Sequence, residues 1–134
     1  MMQEKLLEAA LDLMKNRYPI GWGGAAALAT ETGEILTSVA PATQNDALSL
    51  CMEVGACLEA HKINEKITHS ICICRESEHE NIIILTPCGI CQERLSYWGG
   101  DVLVAVSTPE NKLLFKSLRE LMPYHWSIVN GIKL

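Results

Sequence analysis

Interleaved helix and strand signals predict an α/β fold for this 134-residue chain. Three observations carry that expectation: a helix-period stretch at the start, a run near the middle that is apolar on every face, and several short alternating or apolar segments around it. Leu7, Leu11, Met14 and Tyr18 fall at i, i+4, i+7 and i+11 with charged residues between them, so residues 3–17 read as an amphipathic helix that Pro19 stops. Gly21–Thr30 and Glu34–Ala40 flank Thr32-Gly33 and read as a two-stranded hairpin. The glycines weaken its first strand but permit close approach of another backbone or side chain.

Asp46 is the expected N-cap of a helix running to about Lys62. Its apolar residues Ala47, Leu48, Leu50, Met52, Val54, Ala56 and Leu58 occupy every face, which predicts a buried helix. Ile67, Ile71 and Ile73 alternate with Thr68, Ser70, Cys72 and Cys74 in a third strand, and the charged run Arg75–Asn81 is a solvated loop. Ile82–Leu85 suits either a strand or a buried approach to the segment that follows. Gln92–Trp98 continues a short helix that begins after Pro87 and is ended by Gly99-Gly100, Asp101–Ser107 reads as a buried strand, and Leu113–Lys116 as a weaker one.

A 49% hydrophobic composition supplies one core, and residues 1–134 are expected to form a single domain. The formal net charge of −5 disfavours nucleic acid as a partner, because phosphate backbones are held by clustered Lys and Arg. Charged residues interrupt the first 17 positions, and no later stretch approaches the roughly 20 apolar residues that span a membrane. The expectation is therefore a cytoplasmic protein without a membrane partner. In that reducing compartment six cysteines favour metal binding or buried free thiols over disulfides.

Function is most legible in Cys51-Met52-Glu53 and Pro87-Cys88-Gly89-Ile90-Cys91. Three thiols and one free carboxylate outline a catalytic metal site, in which three protein ligands leave one position open, whereas a structural zinc site closes with four. Cys51, Cys88 and Cys91 are the expected ligands of one Zn²⁺, and Glu53 is placed for proton transfer rather than ligation. Both halves of the motif fall at expected helix beginnings, where partial positive charge lowers thiol pKa values and offsets the excess charge of three thiolates. A closed four-cysteine site recruiting Cys72 or Cys74 is the alternative, although those two and Cys57 read as buried small hydrophobes.

These residues resemble the cytidine deaminase superfamily, specifically its small three-cysteine branch that includes nucleoside cytidine deaminases and blasticidin-S deaminase. Trp22–Leu28 and Leu121–Trp126 resemble further segments of that family. The resemblance implies a three-layer α/β/α sandwich around a five-stranded mixed sheet. It also implies hydrolytic deamination of a small aminopyrimidine compound by zinc-hydroxide attack, with Glu53 as proton shuttle and ammonia released. The branch is usually homotetrameric, with neighbours closing each pocket, which makes Tyr124 and Trp126 candidates for that role. With Trp22, Asn45 and Met52 they form the expected substrate-binding set.

The chain also departs from the family. Nucleoside cytidine deaminases grip the ribose with an Asn-x-Glu pair, whereas Ala40 and Ala42 stand at the matching positions. Many carry Arg directly after the catalytic Glu, where this chain has Val54 and a nearby Arg94. The missing ribose grip favours a modified cytosine nucleoside, as in a detoxifying enzyme like blasticidin-S deaminase. Glu53 argues against an inert zinc domain and the acidic balance against a nucleic-acid editor. Among the four histidines only His125, inside the C-terminal aromatic segment, invites a functional reading.

Overall fold

The computed structural model describes residues 1–132 and 134. Helix α1 (Met2–Arg17) is followed by the hairpin β1 (Gly23–Thr30) and β2 (Ile35–Ser38), with Gly33 at φ 88° making the turn that Thr32-Gly33 predicts. Helix α2 (Val54–Ile63), strands β3 (Ile67–Arg75) and β4 (Ile83–Ile84), helix α3 (Gly89–Leu95), strands β5 (Leu103–Ala105) and β6 (Phe115–Ser117), and helix α4 (Leu118–Leu121) complete the order. The sheet runs β2-β1-β3-β5-β6, parallel between β3 and β5 and antiparallel elsewhere. Two-residue β4 pairs with Ile73 and Cys74 beyond that path, so Ile82–Leu85 holds a short strand of which only Ile84 is buried.

Alternation along the strands divides the core into two layers. Ala25, Ala27, Ala29, Ile71 and Ile73 face α1, whose Leu6, Ala10 and Met14 are fully buried against them. The buried stripe lies one residue away from the Leu7–Leu11 face that the sequence pattern suggests, and those two leucines flank it half-buried. Ala26, Leu28, Leu36, Val102 and Val104 face the other way, onto Ala56, Cys57 and Ala60 of α2 and Leu95 of α3. The mixed sheet lies between those two helical layers. All eight residues of β1 are buried, and its small side chains let helices approach this strand from both faces.

Two expectations about the second helix are corrected. It begins at Val54, not after Asp46: Asn45 Oδ1 instead caps a 3₁₀ turn, Asp46–Leu48, by accepting from the Ala47 N–H at 2.9 Å. It is also not buried all round, because only its sheet-facing side is covered, and Leu58 is 58% exposed. The left-handed Asn64 (φ 55°) ends it. The third helix starts at Gly89, directly after Pro87-Cys88 as expected, and its last turn Ser96–Trp98 is 3₁₀ before Gly99. Pro19 follows α1 as expected, and the Arg75 guanidinium donates to the Tyr18 carbonyl at that helix end.

Gly55 brings α2 close to β2. A Cβ there would lie 2.8 Å from Ser38 Cβ, with both atoms on regular backbone elements. Gly55→Ala is expected to push helix from sheet and lower stability by about 1–3 kcal/mol, as overpacking does. Urea denaturation measures this, and an unchanged midpoint would contradict the packing described.

Candidate metal and catalytic site

Cys51, Cys88 and Cys91 come from two places in the sequence that the sheet brings together. Their sulfurs lie within 4.8 Å of one another, with Cys51 Sγ and Cys88 Sγ 3.2 Å apart. Cys88 is the N-cap of α3 and Cys91 sits in its first turn, while Glu53 is the N-cap of α2. The site therefore lies between two helix N-termini.

The ligand loop is braced at each end. Ahead of it, Thr86 N–H donates to Ser107 Oγ (3.0 Å) and Ser107 N–H donates to Thr86 Oγ1 (2.8 Å), tying the loop to the end of β5. Behind Cys91, Gln92 Nε2 donates to the Pro87 carbonyl at 2.8 Å, closing the turn that holds both cysteines.

Glu53 is only 2% exposed. Burial raises its pKa, opposed by its own backbone N–H and by the Cys91 thiol that faces it. At the Cys88 thiol burial also pulls upward, but the Cys91 and Ile90 backbone N–H groups and the Cys51 thiol outweigh it and lower the pKa. That is the helix N-terminus acting on its capping sulfur. Burial pushes the Cys57 thiol up to about 11 and raises the Cys72 and Cys91 thiols as well, so geometry sets Cys91 apart: its sulfur lies with those of Cys51 and Cys88, and the sulfurs of Cys57 and Cys72 do not. Cys72 is buried with its thiol 4.0 Å from Met52 Sδ, and among the described residues no fourth cysteine, histidine or acid joins the three-sulfur cluster. The closed four-cysteine alternative has no support.

Zinc fits this donor set. Sulfurs at about 2.3 Å from a tetrahedral ion lie about 3.8 Å from each other, and a cluster with one pair at 3.2 Å and every pair within 4.8 Å is close to that spacing. The three cysteines could ligate one ion.

The other expected residues are distributed unevenly. Trp22 and Met52 meet over Gly24, where an added Cβ would lie 2.5 Å from Met52 Sδ and 2.9 Å from Trp22 Cη2. This explains the glycine and sets an aromatic ring beside the Cys51–Glu53 segment. Asn45 is engaged in its cap, and Ala40 and Ala42 offer no polar side chain. Arg94 shares a small cleft with Cys51, Val54 and Ile90. Tyr124 is 94% exposed.

Trp126 and His125 are held by a residue that the motif does not single out. Glu93, on α3, accepts from Trp126 Nε1 (2.9 Å) through one carboxylate oxygen and meets His125 Nε2 (2.7 Å) with the other. Ser127 N–H donates to His125 Nδ1, so the ring carries its hydrogen on Nε2 and donates it to Glu93. The His125 hydrogen bond, followed by that from Trp126, lowers the Glu93 pKa. Its position two residues after Cys91 was the only signal in the sequence. Glu93→Ala leaves the buried His125 donor unpaired, with an expected loss of about 1–3 kcal/mol, and frees the last segment. Faster chymotryptic cleavage after Tyr124 and a red-shifted Trp126 emission are the expected readouts; unchanged cleavage would contradict the clasp.

A mixed sheet between helical layers, with a three-sulfur cluster and a buried carboxylate at two helix N-termini, defines a metal-dependent hydrolase of the deaminase class. No family model matches the chain. A solved cytidine deaminase from Bacillus anthracis is 49% identical, with 98% of this chain and 94% of that one covered and a TM-score of 0.96. The chain belongs to the cytidine deaminase family, which uses zinc, and is a deaminase. A curated blasticidin-S deaminase from Bacillus cereus is 27% identical over 116 residues, 84% of this chain and 79% of that protein. A cytidine deaminase from Burkholderia pseudomallei, 19% identical and covering 94% of this chain and 100% of its own, shares the fold at a TM-score of 0.72. No described helix is long and apolar enough to cross a membrane.

Proposed function

We propose that the chain is a hydrolytic deaminase of a small aminopyrimidine compound, with Cys51, Cys88 and Cys91 holding one zinc ion and Glu53 carrying the proton. The observation that carries this reading is the buried Glu53 carboxyl beside three clustered sulfurs. When bound, zinc supplies Lewis acidity that makes water a nucleophile near neutral pH. Burial raises the affinity of the Glu53 carboxylate for a proton. It takes one proton from the attacking water and delivers it to the ring nitrogen of the substrate, then moves the second, from the hydroxyl on the tetrahedral carbon, to the amino nitrogen, so that the amino group leaves as ammonia. Trp22 and Met52 wall the pyrimidine slot, while Tyr124 and Trp126 act at the pocket edge. All six cysteines are free, which suits a reducing cytoplasm.

Glu53→Gln is expected to keep zinc and fold but lose turnover by roughly 10²-fold or more, because an amide cannot carry the proton. Cys88→Ala is expected to lose both zinc and turnover. Metal analysis with an ammonia-release assay reads both; near-wild-type turnover of Glu53→Gln ends the mechanism.

Substrate choice follows from what lines the approach. The chain has alanine at both 40 and 42, and Asn45 is spent on its cap, so a ribose meets no charged or bidentate partner. This favours, as a second reading, a cytosine nucleoside with other decoration, of the kind that blasticidin S represents. A site that hydrogen-bonds a polar group discriminates strongly against its absence. Without such a site, cytidine and free cytosine are expected to differ little in kcat/KM, and the decorated nucleoside to exceed both. Cytidine turnover at roughly 10⁵ M⁻¹s⁻¹ or more contradicts this.

The reading includes a homotetramer. Leu48, Leu50, Leu58, Ile90 and Trp126 are large apolar side chains left exposed on one protomer, and three of them, Leu50, Leu58 and Ile90, line clefts shared with the ligand Cys51. Light scattering at micromolar concentration is expected to give four chains; a monomer refutes that.

A further inference from the structure

Helix α2 should begin one turn earlier than it does. An ordinary first turn would run the Ala56 N–H to the Met52 carbonyl, four residues back. The first such bond in the structure is instead Cys57 N–H to Glu53 O, at 3.0 Å. The two groups that would have met are both taken by a side chain from β2. Ser38 Oγ donates to the Met52 carbonyl at 2.5 Å and accepts from the Ala56 N–H at 3.0 Å. One hydroxyl is thus inserted into the position of a helical hydrogen bond, and Gly55 allows β2 to come near enough for this. The contact is partly buried, so water is a poor substitute.

This has two consequences for the residues that precede the helix. Cys51 and Met52 stay outside the α-helical ladder, in a turn that the Val54 N–H closes onto the Cys51 carbonyl at 3.2 Å, with Cys51 Sγ facing Cys88 Sγ. Glu53, formally the N-cap, makes no capping hydrogen bond with its side chain. The donor an N-cap side chain ordinarily satisfies at N3 is that of Ala56, and Ser38 already holds it. The Glu53 carboxyl is therefore released from structural duty and stays buried beside the cysteines.

We propose that Ser38 is a positioning residue whose hydroxyl acts as a wedge, making α2 start at Val54 and so fixing the Cys51–Glu53 turn for metal binding and proton transfer. The proposal rests on the assignment of Cys51 as a metal ligand and Glu53 as the proton carrier. Removing the hydroxyl lets Ala56 bond to Met52 or to the Glu53 carboxylate, and either change moves the turn.

The test compares Ser38→Thr with Ser38→Val, which have nearly the same shape and differ in the hydroxyl, alongside Ser38→Ala. Two readouts are used: the rate at which zinc passes from the protein to a chromogenic chelator, and the separate values of kcat and KM. Ser38→Val is expected to release zinc roughly tenfold faster than Ser38→Thr and to have kcat lower by a similar factor, with KM nearly unchanged. Ile71→Val, a core change on the opposite face of the sheet, controls for general loss of stability and is expected to alter neither readout. Equal zinc release and equal kcat in the Thr and Val variants would overturn the wedge. A wild-type protein that holds no zinc would instead overturn the ligand assignment, so the two failures are distinguishable.

Discussion

Crowding three thiols and a carboxylate into one small volume is the constraint on which this structure turns. Each would be negative when active, and two of the four are fully or almost fully buried. The molecule answers at the N-terminus of α3, where backbone N–H groups favour negative charge at the capping Cys88. Backbone donors at Cys91 and Ile90 pull the Cys88 thiol down, while burial raises the Glu53 carboxyl. A cation with vacant coordination sites is the natural complement to that arrangement.

Helix ends are pliable, so a site built on them must be braced. Gln92 closes the ligand turn onto Pro87, Thr86 and Ser107 tie the loop to β5, and Glu93 fastens the C-terminal aromatic segment to the same helix. Ser38 does the corresponding work for α2. The small residues of β1 let these braced elements lie close to the sheet, and Gly24 leaves room for Met52 and Trp22. Exposed apolar residues next to Cys51 show that the surroundings of the site remain open at the surface of a single chain.

The sequence made much of this legible, for local reasons. The metal set follows from cysteine spacing, and Glu53 from its place beside Cys51, because both are short-range features. Hairpin, central strand and first helix follow from periodicity and the Thr32-Gly33 turn. The errors arise where a distant group overrides a local pattern. Helical propensity runs on from Asp46, but Asn45 caps only a short turn and the Ser38 hydroxyl interrupts the later one. The face of α1 is rotated by a residue because the alanines of β1 accept Leu6 and Ala10 more closely than the Leu7 stripe. Neither Ser38 nor Glu93 belongs to a motif; their partners lie 14 or more residues away and exist only once the sheet is formed.

Cobalt substitution tests the central claim most directly, since the visible spectrum of cobalt reports its sulfur ligands and its geometry. The account predicts a tetrahedral ion with intense thiolate charge-transfer bands for three sulfurs, and a spectrum that shifts when a small exogenous ligand enters the fourth position. A four-thiolate spectrum indifferent to added ligand would contradict it.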